Sequence, residues 1–216
     1  MASMLDQLGI SKETVAAVEP EEVYEGGSTR EAGLYTVAVD KAYIRKTDSG
    51  ANMLEVDFKM EDGSDFHYST CVLSGDAKGN KSTYTTKQGK ERALPGVDSM
   101  TKFLTAIDSI SAGAAEGEVE HFGTKMKVLA FSGLQGKKLQ IGINQYENFY
   151  NGEVSVRNDV KYWLDEAGKN SAGEELSEKV KESLEKFPLK KLKAMPQAAS
   201  TGATTGGSEA VKSSGW

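Results

Sequence analysis

From Tyr35 the chain alternates, with Tyr35, Val37 and Val39 set against Thr36, Ala38 and Asp40, and the segment runs on through Tyr43 and Ile44. A period of two sends successive side chains to opposite faces, which predicts a long first strand. Thr47-Asp48-Ser49-Gly50 supplies turn chemistry, after which Leu54, Val56, Phe58 and Met60 alternate with Met53, Glu55, Asp57 and Lys59 as a second strand. Glu61-Asp62-Gly63 is a hairpin turn, so residues 65–73 are predicted to return antiparallel as a third strand. Residues 74–95 are polar and read as a long, mobile excursion with a small hairpin formed by residues 82–86 and 91–94.

At Val97 the period lengthens. Met100, Phe103, Leu104, Ile107 and Ile110 fall on one helical face, with Asp98 or Ser99 placed to cap the helix and an end expected near residues 111–113. Residues 116–120 read as an acidic loop leading to an apolar patch over residues 124–131. Gly133-Leu134-Gln135-Gly136 then turns into a strand with Leu139, Ile141 and Ile143 on one face. Asn151-Gly152 is a strong two-residue hairpin signal, joining that strand to one that starts at Glu153 and runs through Arg157. Leu176, Val180, Leu184 and Phe187 recur at helical spacing among Glu and Lys, which predicts an amphipathic helix over residues 174–187.

These patterns divide the chain into an N-terminal appendage (1–32), a β-rich domain with one internal helix (33–165), a C-terminal helical segment (166–195) and a flexible Gly/Ser/Thr/Ala tail (196–216). In the appendage Met4, Leu5, Leu8 and Ile10 suit one helical turn, and Ser11 with Thr14 suits the cap of a second short helix through Ala17. The whole is 216 residues, 38% hydrophobic and 27% charged, a soluble globular composition. Its longest apolar stretches, such as residues 126–131, fall far short of the roughly 18 to 20 residues that cross a bilayer. The N-terminus lacks a secretory pattern, so the protein is expected to stay in the cytoplasm where it is made.

Charge and chemistry narrow the classes further. A net charge of -6, with acid concentrated before residue 32, means that any binding to a polyanion has to be local. The single Cys71 forms no internal disulfide, and His67 and His121 are too few for a Cys/His zinc site. His67 and Cys71 share a face of the third strand and are assigned no chemistry. Phosphate-loop, nucleophile-elbow and zinc-protease motifs are missing, and Asp48, Asp62, Asp65 and Asp76 sit where Asp is ordinary turn chemistry. No enzyme activity, cofactor or metal is expected.

The order of a three-strand meander, a helix and two closing strands is that of the OB-fold, a five-stranded Greek-key barrel with a helix between its third and fourth strands. Leu34-Tyr35-Thr36-Val37 through Ser49-Gly50-Ala51, then Leu54-Glu55-Val56-Asp57-Phe58, and later Gly133-Leu134-Gln135-Gly136-Lys137 with the Asn151-Gly152 hairpin, resemble phage-encoded OB-fold single-stranded DNA-binding proteins over roughly residues 33–163. The resemblance implies a protein of phage replication or recombination that coats single strands in the bacterial host cytoplasm without chemistry.

Such a groove needs cations for phosphates and flat rings for bases, and the chain supplies both. The excursion holds Lys81, Lys87, Lys90 and Arg92 around Tyr84. The first strand contributes Tyr43, Arg45 and Lys46, and the closing hairpin contributes Tyr146, Phe149, Tyr150, Arg157 and Lys161. Lys190, Lys191 and Lys193 form a further basic cluster beyond the last helix. Against this, Glu55 and Asp57 point outward from the second strand, on a face many OB-folds offer to DNA. The family's acidic tail is replaced here by a neutral one that keeps only a terminal aromatic, Trp216, which suits a hook for replication or recombination proteins. Strand edges leave room for self-association. The competing reading is an OB-fold protein-interaction or virion module that binds no nucleic acid.

Overall fold

A computed structural model describes residues 30–121, 123–150 and 153–191. The meander is formed by β1 (Gly33–Lys46), β2 (Asn52–Met60) and β3 (Asp65–Leu73), antiparallel throughout. β2 keeps its alternation from end to end, so Leu54, Val56, Phe58 and Met60 all enter the core. β1 does not. A bulge between Val39 and Lys41 shifts its phase, and the inward residues change from Val37 and Val39 to Ala42 and Ile44. Lys41, Tyr43 and Arg45 are thereby turned to the other face.

The excursion is built rather than structureless. A single 3₁₀ turn (Asp76–Lys78) is tied to the β1–β2 turn by Asp76 N donating to Ser49 O, and β4 (Thr83–Thr85) pairs with β5 (Glu91–Ala93) as a separate two-stranded sheet. Helix α1 (Pro95–Ala106) follows, burying Val97, Met100, Phe103 and Leu104. Its N-cap is Leu94 with no side-chain cap, not Asp98 or Ser99; Asp98 instead pairs with Lys102 one turn on, at 3.1 Å. The helix stops earlier than its apolar spacing suggests. Asp108 turns left-handed, with φ of 49°, and Lys137 Nζ donates to Ile107 O at 2.8 Å and to Ser109 Oγ at 2.7 Å. A cation thus sits on the last carbonyls, where the helix dipole favours it.

The expected acidic loop is a strand. β6 (Ala114–His121) pairs with β7 (Thr124–Phe131), and Glu118 and Glu120 stand opposite Lys127 and Lys125 across the ladder. Opposed charges on an exposed hairpin stabilise it where apolar alternation is lacking. Then β8 (Lys138–Tyr150) and β9 (Glu153–Leu164) form the longest hairpin; the Asn151-Gly152 turn itself lies outside the described residues.

One sheet of eight strands results, in the order β10-β8-β1-β2-β3 with β9 on β8 and β6–β7 on β1. β1 is the shared strand, pairing β8 along its first half and β7 near its end. Among the described residues β3 has no ladder to β9, so the sheet is open there, in contrast to the closed barrel that the sequence suggests. Rings and α1 fill the opening: Trp163 lies 5.1 Å from Tyr68, 5.5 Å from Phe103 and 6.2 Å from Phe58, centroid to centroid.

The last helix, α2 (Ser177–Lys186), is set by its two buried residues, Val180 and Leu184, which pack on Tyr162 and Leu164. After it, β10 (Leu189–Lys190) lies parallel to β8. The appendage helices, the tail with Trp216, and Lys193 fall outside the described residues. Among the described residues no helix is long and apolar enough to cross a membrane.

Candidate nucleic-acid interface

Among the described residues, the sequence-predicted cations and rings meet on two surfaces. In the β4–β5 hairpin the register sets Tyr84 directly opposite Arg92, on one face, with Tyr84 40% exposed. Lys87 and Lys90 flank the hairpin turn, where Thr86 N donates to Lys90 O, and Lys81 precedes the hairpin; all three are exposed. Of the sequence-predicted members of this segment, Tyr84 and Arg92 therefore lie on the small sheet, and the three lysines lie at its turn and approach.

The second surface is the outer end of the β8–β9 hairpin. Tyr146 pairs with Arg157 on β9 and with Lys190 on β10, so three neighbouring strands carry the row Lys190–Tyr146–Arg157. Residues opposed in a ladder share a face, which puts the ring between two cationic side chains. The placement of Lys190 follows from the segment before it: Asn144 Nδ2 donates to Phe187 O at 2.8 Å, and Gln145 N donates to Pro188 O at 3.2 Å. In the sequence Lys190 reads only as part of a basic cluster beyond the last helix, because this two-residue parallel pairing is what brings it to Tyr146. Phe149 belongs to the opposite face, paired with Val154 and half-buried. The Tyr150 side chain lies outside the described residues.

Three sequence-predicted residues are not available to a ligand. Tyr43 is 1% exposed, with its hydroxyl 2.8 Å from His121 Nδ1, because the β6–β7 hairpin brings His121 onto the outward face of β1. Lys161 is 5% exposed, and Arg45 is tied to Glu55, with Nε at 2.9 Å and Nη2 at 2.6 Å from Oε1. Of the first-strand group only Lys46 is exposed.

That same face explains Glu55 and Asp57. Glu55 has no exposed surface, and His67 sits between the two carboxylates, Nδ1 2.6 Å from Asp57 and Nε2 3.2 Å from Glu55. Hydrogen bonding to Asp57, then to Glu55, pushes His67 up to about 9, so it is a cation at neutral pH. The hydrogen bond from His67 also holds Asp57 below its ordinary value. In Glu55, burial alone raises the carboxyl, but hydrogen bonds from His67, Ser69 and Arg45 together outweigh it and the result is a lowering. Two acids and two cations balance. Beside them is a cavity of about 300 Å³ lined by Asp40, Lys41, Tyr43, Asp57, His67 and His121 among others. The predicted outward acids are therefore a neutralised polar core, not an acidic surface across a groove. Among the described residues no group of three or more His, Cys, Asp or Glu is arranged to hold a metal.

Strand register separates the two cationic surfaces. The excursion is anchored at the β1–β2 turn, beyond Lys46, whereas the β8–β9 arm leaves the sheet at the other end of β1, where Gly33 pairs with Ile143. β1 has 14 residues, so at about 3.3 Å each its ends stand up to roughly 40 Å apart. No protein-family model matches the chain, and no curated protein matches it.

Proposed function

We propose that the chain binds single-stranded DNA without catalysis, through the Lys190–Tyr146–Arg157 row and the Tyr84–Arg92 hairpin as two contact points for one strand. The row carries the reading. A ring with a cation on either side offers a base a stacking face and its phosphates two charges within one strand spacing each, and stacking of this kind is worth about 1 to 3 kcal/mol per base. Bases in a duplex are already stacked and hide their faces, so the arrangement favours single strands. With a net charge of -6, binding of such a ligand has to be local, as at these two patches.

The strand order supports an OB-type arrangement in which β1, β2, β3, α1, β8 and β9 are the basic elements and β6–β7 is an insertion whose His121 reaches Tyr43 and His67 on the outer face that many OB-folds use. The resemblance to phage single-strand binders supports a place in phage replication or recombination. A protein-interaction module is the second reading, favoured by Val154 and Val156, which are 42% and 40% exposed on β9.

Fluorescence anisotropy with a labelled oligothymidine, a duplex competitor and a salt titration tests the proposal. Preference for the single strand with a steep log–log salt slope is the expected result. No binding at low salt rejects it and leaves the interaction module.

A further inference from the structure

Past the Gly33–Ile143 pair the β8–β9 ladder leaves β1 behind and runs on to the Tyr150–Glu153 pair. Along this arm β9 has a single ladder neighbour among the described residues, β8, and no backbone N–H or C=O group of the described residues pairs with its outer edge over 153–157. Val154, Ser155, Val156 and Arg157 are all exposed, two of them β-branched and apolar. Proteins blunt such edges with lysine, proline or bulges. Here residues 153–157 contain no lysine or proline, and the β8–β9 ladder is regular over them.

The edge is also complementary to itself. In Glu153-Val154-Ser155-Val156-Arg157, an antiparallel pairing centred on Ser155 sets Val154 against Val156 of the other copy and position 153, a glutamate, against position 157, an arginine, each twice. Sliding the register by one residue to either side sets Val154 against Arg157 or Glu153 against Val156, apolar against charged. A slip of two, centred on Val156, sets Arg157 against Ser155 and leaves Glu153 out of the match. One register satisfies both the valines and the charges.

We infer that β9 pairs edge to edge with β9 of a second copy, as a two-fold antiparallel dimer whose axis passes through Ser155. The contact is isologous, since each valine and each charge meets its complement from the other chain, and it closes, so it makes a dimer rather than a filament. The two-fold stands perpendicular to the joined sheet. Both copies therefore keep the Val154–Val156 side on one surface, where Phe149 continues it, and both Tyr146 rows on the other. The inference stands on the edge alone and does not depend on nucleic-acid binding.

The test is disulfide trapping in the full chain without nucleic acid. In a Cys71→Ser background, Ser155→Cys is expected to cross-link to a dimer under mild oxidation much faster than Glu182→Cys, a control cysteine on the exposed face of α2. In sedimentation the natural chain is expected at twice its monomer mass, and the Val154→Lys/Val156→Lys variant, which sets lysine against lysine, at the monomer mass with an unchanged circular dichroism spectrum. A natural chain that sediments as a monomer, a Ser155→Cys variant that cross-links no faster than the control, or a dimer that survives the double lysine substitution each overturns the inference.

Discussion

His67 Nε2 lies 3.2 Å from the carboxylate of Glu55, a side chain with no exposed surface, on a face that a β-hairpin covers. The imidazolium and Arg45 together neutralise a carboxylate that would be very costly to bury alone. This pairing makes stability depend on pH in the alkaline direction. His67 is held up to about 9 against an unfolded value of 6.5, so its contribution is fully present below about pH 6.5 and is lost as pH rises through about 9. The thermal midpoint is expected to fall across that window and level off above it, by the equivalent of about 2 to 3 kcal/mol. In His67→Gln the midpoint should be lower at pH 6 and nearly flat from 6.5 to 9. A natural chain whose midpoint does not change over that range would show that His67 is not held as a cation.

Glu55→Gln removes the buried charge and leaves Arg45 and His67 facing an amide. Breaking a buried pair from one side costs about 3 to 5 kcal/mol, and denaturant titration should show a loss in that range. Asp57→Asn should cost less, because Asp57 is only partly buried. Neither change should weaken oligothymidine binding by more than a few-fold, since both side chains lie on the covered face. The same holds for Tyr43→Phe, whose ring is already enclosed.

At the proposed interface the roles of ring and charge separate by experiment. Tyr146→Ala should weaken oligothymidine binding by about 1 to 3 kcal/mol with little change in salt slope. Arg157→Ala and Lys190→Ala should each weaken binding and lower the log–log salt slope by about 1 unit or less. Tyr84→Ala should weaken longer oligonucleotides more than short ones, because the strand register places Tyr84 at the far end of β1 from Tyr146. Equal losses on the shortest oligonucleotide that binds would place both rings at one contact point.

Much of this architecture can be read from alternation, and the exceptions share a cause. β3 carries the bounds that the Glu61-Asp62-Gly63 turn implies, and β4 and β5 fall inside the predicted small hairpin, since turn chemistry and period two are local signals. β6 escapes because Glu116, Glu118 and Glu120 read as solvated loop until Lys125 and Lys127 stand across from them. Tyr43 falls in phase with the inward Val37 and Val39 until the bulge turns it outward, and there its cover comes from His121, far along the chain. Arg45 reads as a phosphate contact until its partner Glu55 is placed on the neighbouring strand. Lys190 joins Tyr146 through a two-residue parallel strand, which leaves no periodic trace in sequence. Local pattern thus identifies strands and candidate residue types, and long-range pairing decides which of them meet a ligand.

Gly96, in the first turn of α1, measures how tightly the helix that fills the sheet opening is seated. A Cβ built there would lie 2.1 Å from Cys71 O and 2.9 Å from Thr70 Oγ1, both on β3. The backbone oxygen cannot swing aside as a long side chain would, so Gly96→Ala has to push the helix away from the strand. Val97, Met100, Phe103 and Leu104 move with it, and these residues are fully buried in the core. Helix propensity favours alanine over glycine by about 1 kcal/mol, which works in the opposite direction. Overpacking of a tight core costs about 1 to 3 kcal/mol, and a backbone clash of this depth should sit at or above the top of that range. A net destabilisation of about 2 kcal/mol in urea titration is therefore expected, with quenching or shift of Trp163 fluorescence, since Phe103 of α1 packs 5.5 Å from its ring. If Gly96→Ala proved as stable as the natural chain, with unchanged Trp163 emission, α1 would not be seated against β3 at this distance, and the opening between β3 and β9 would have to be filled in another way.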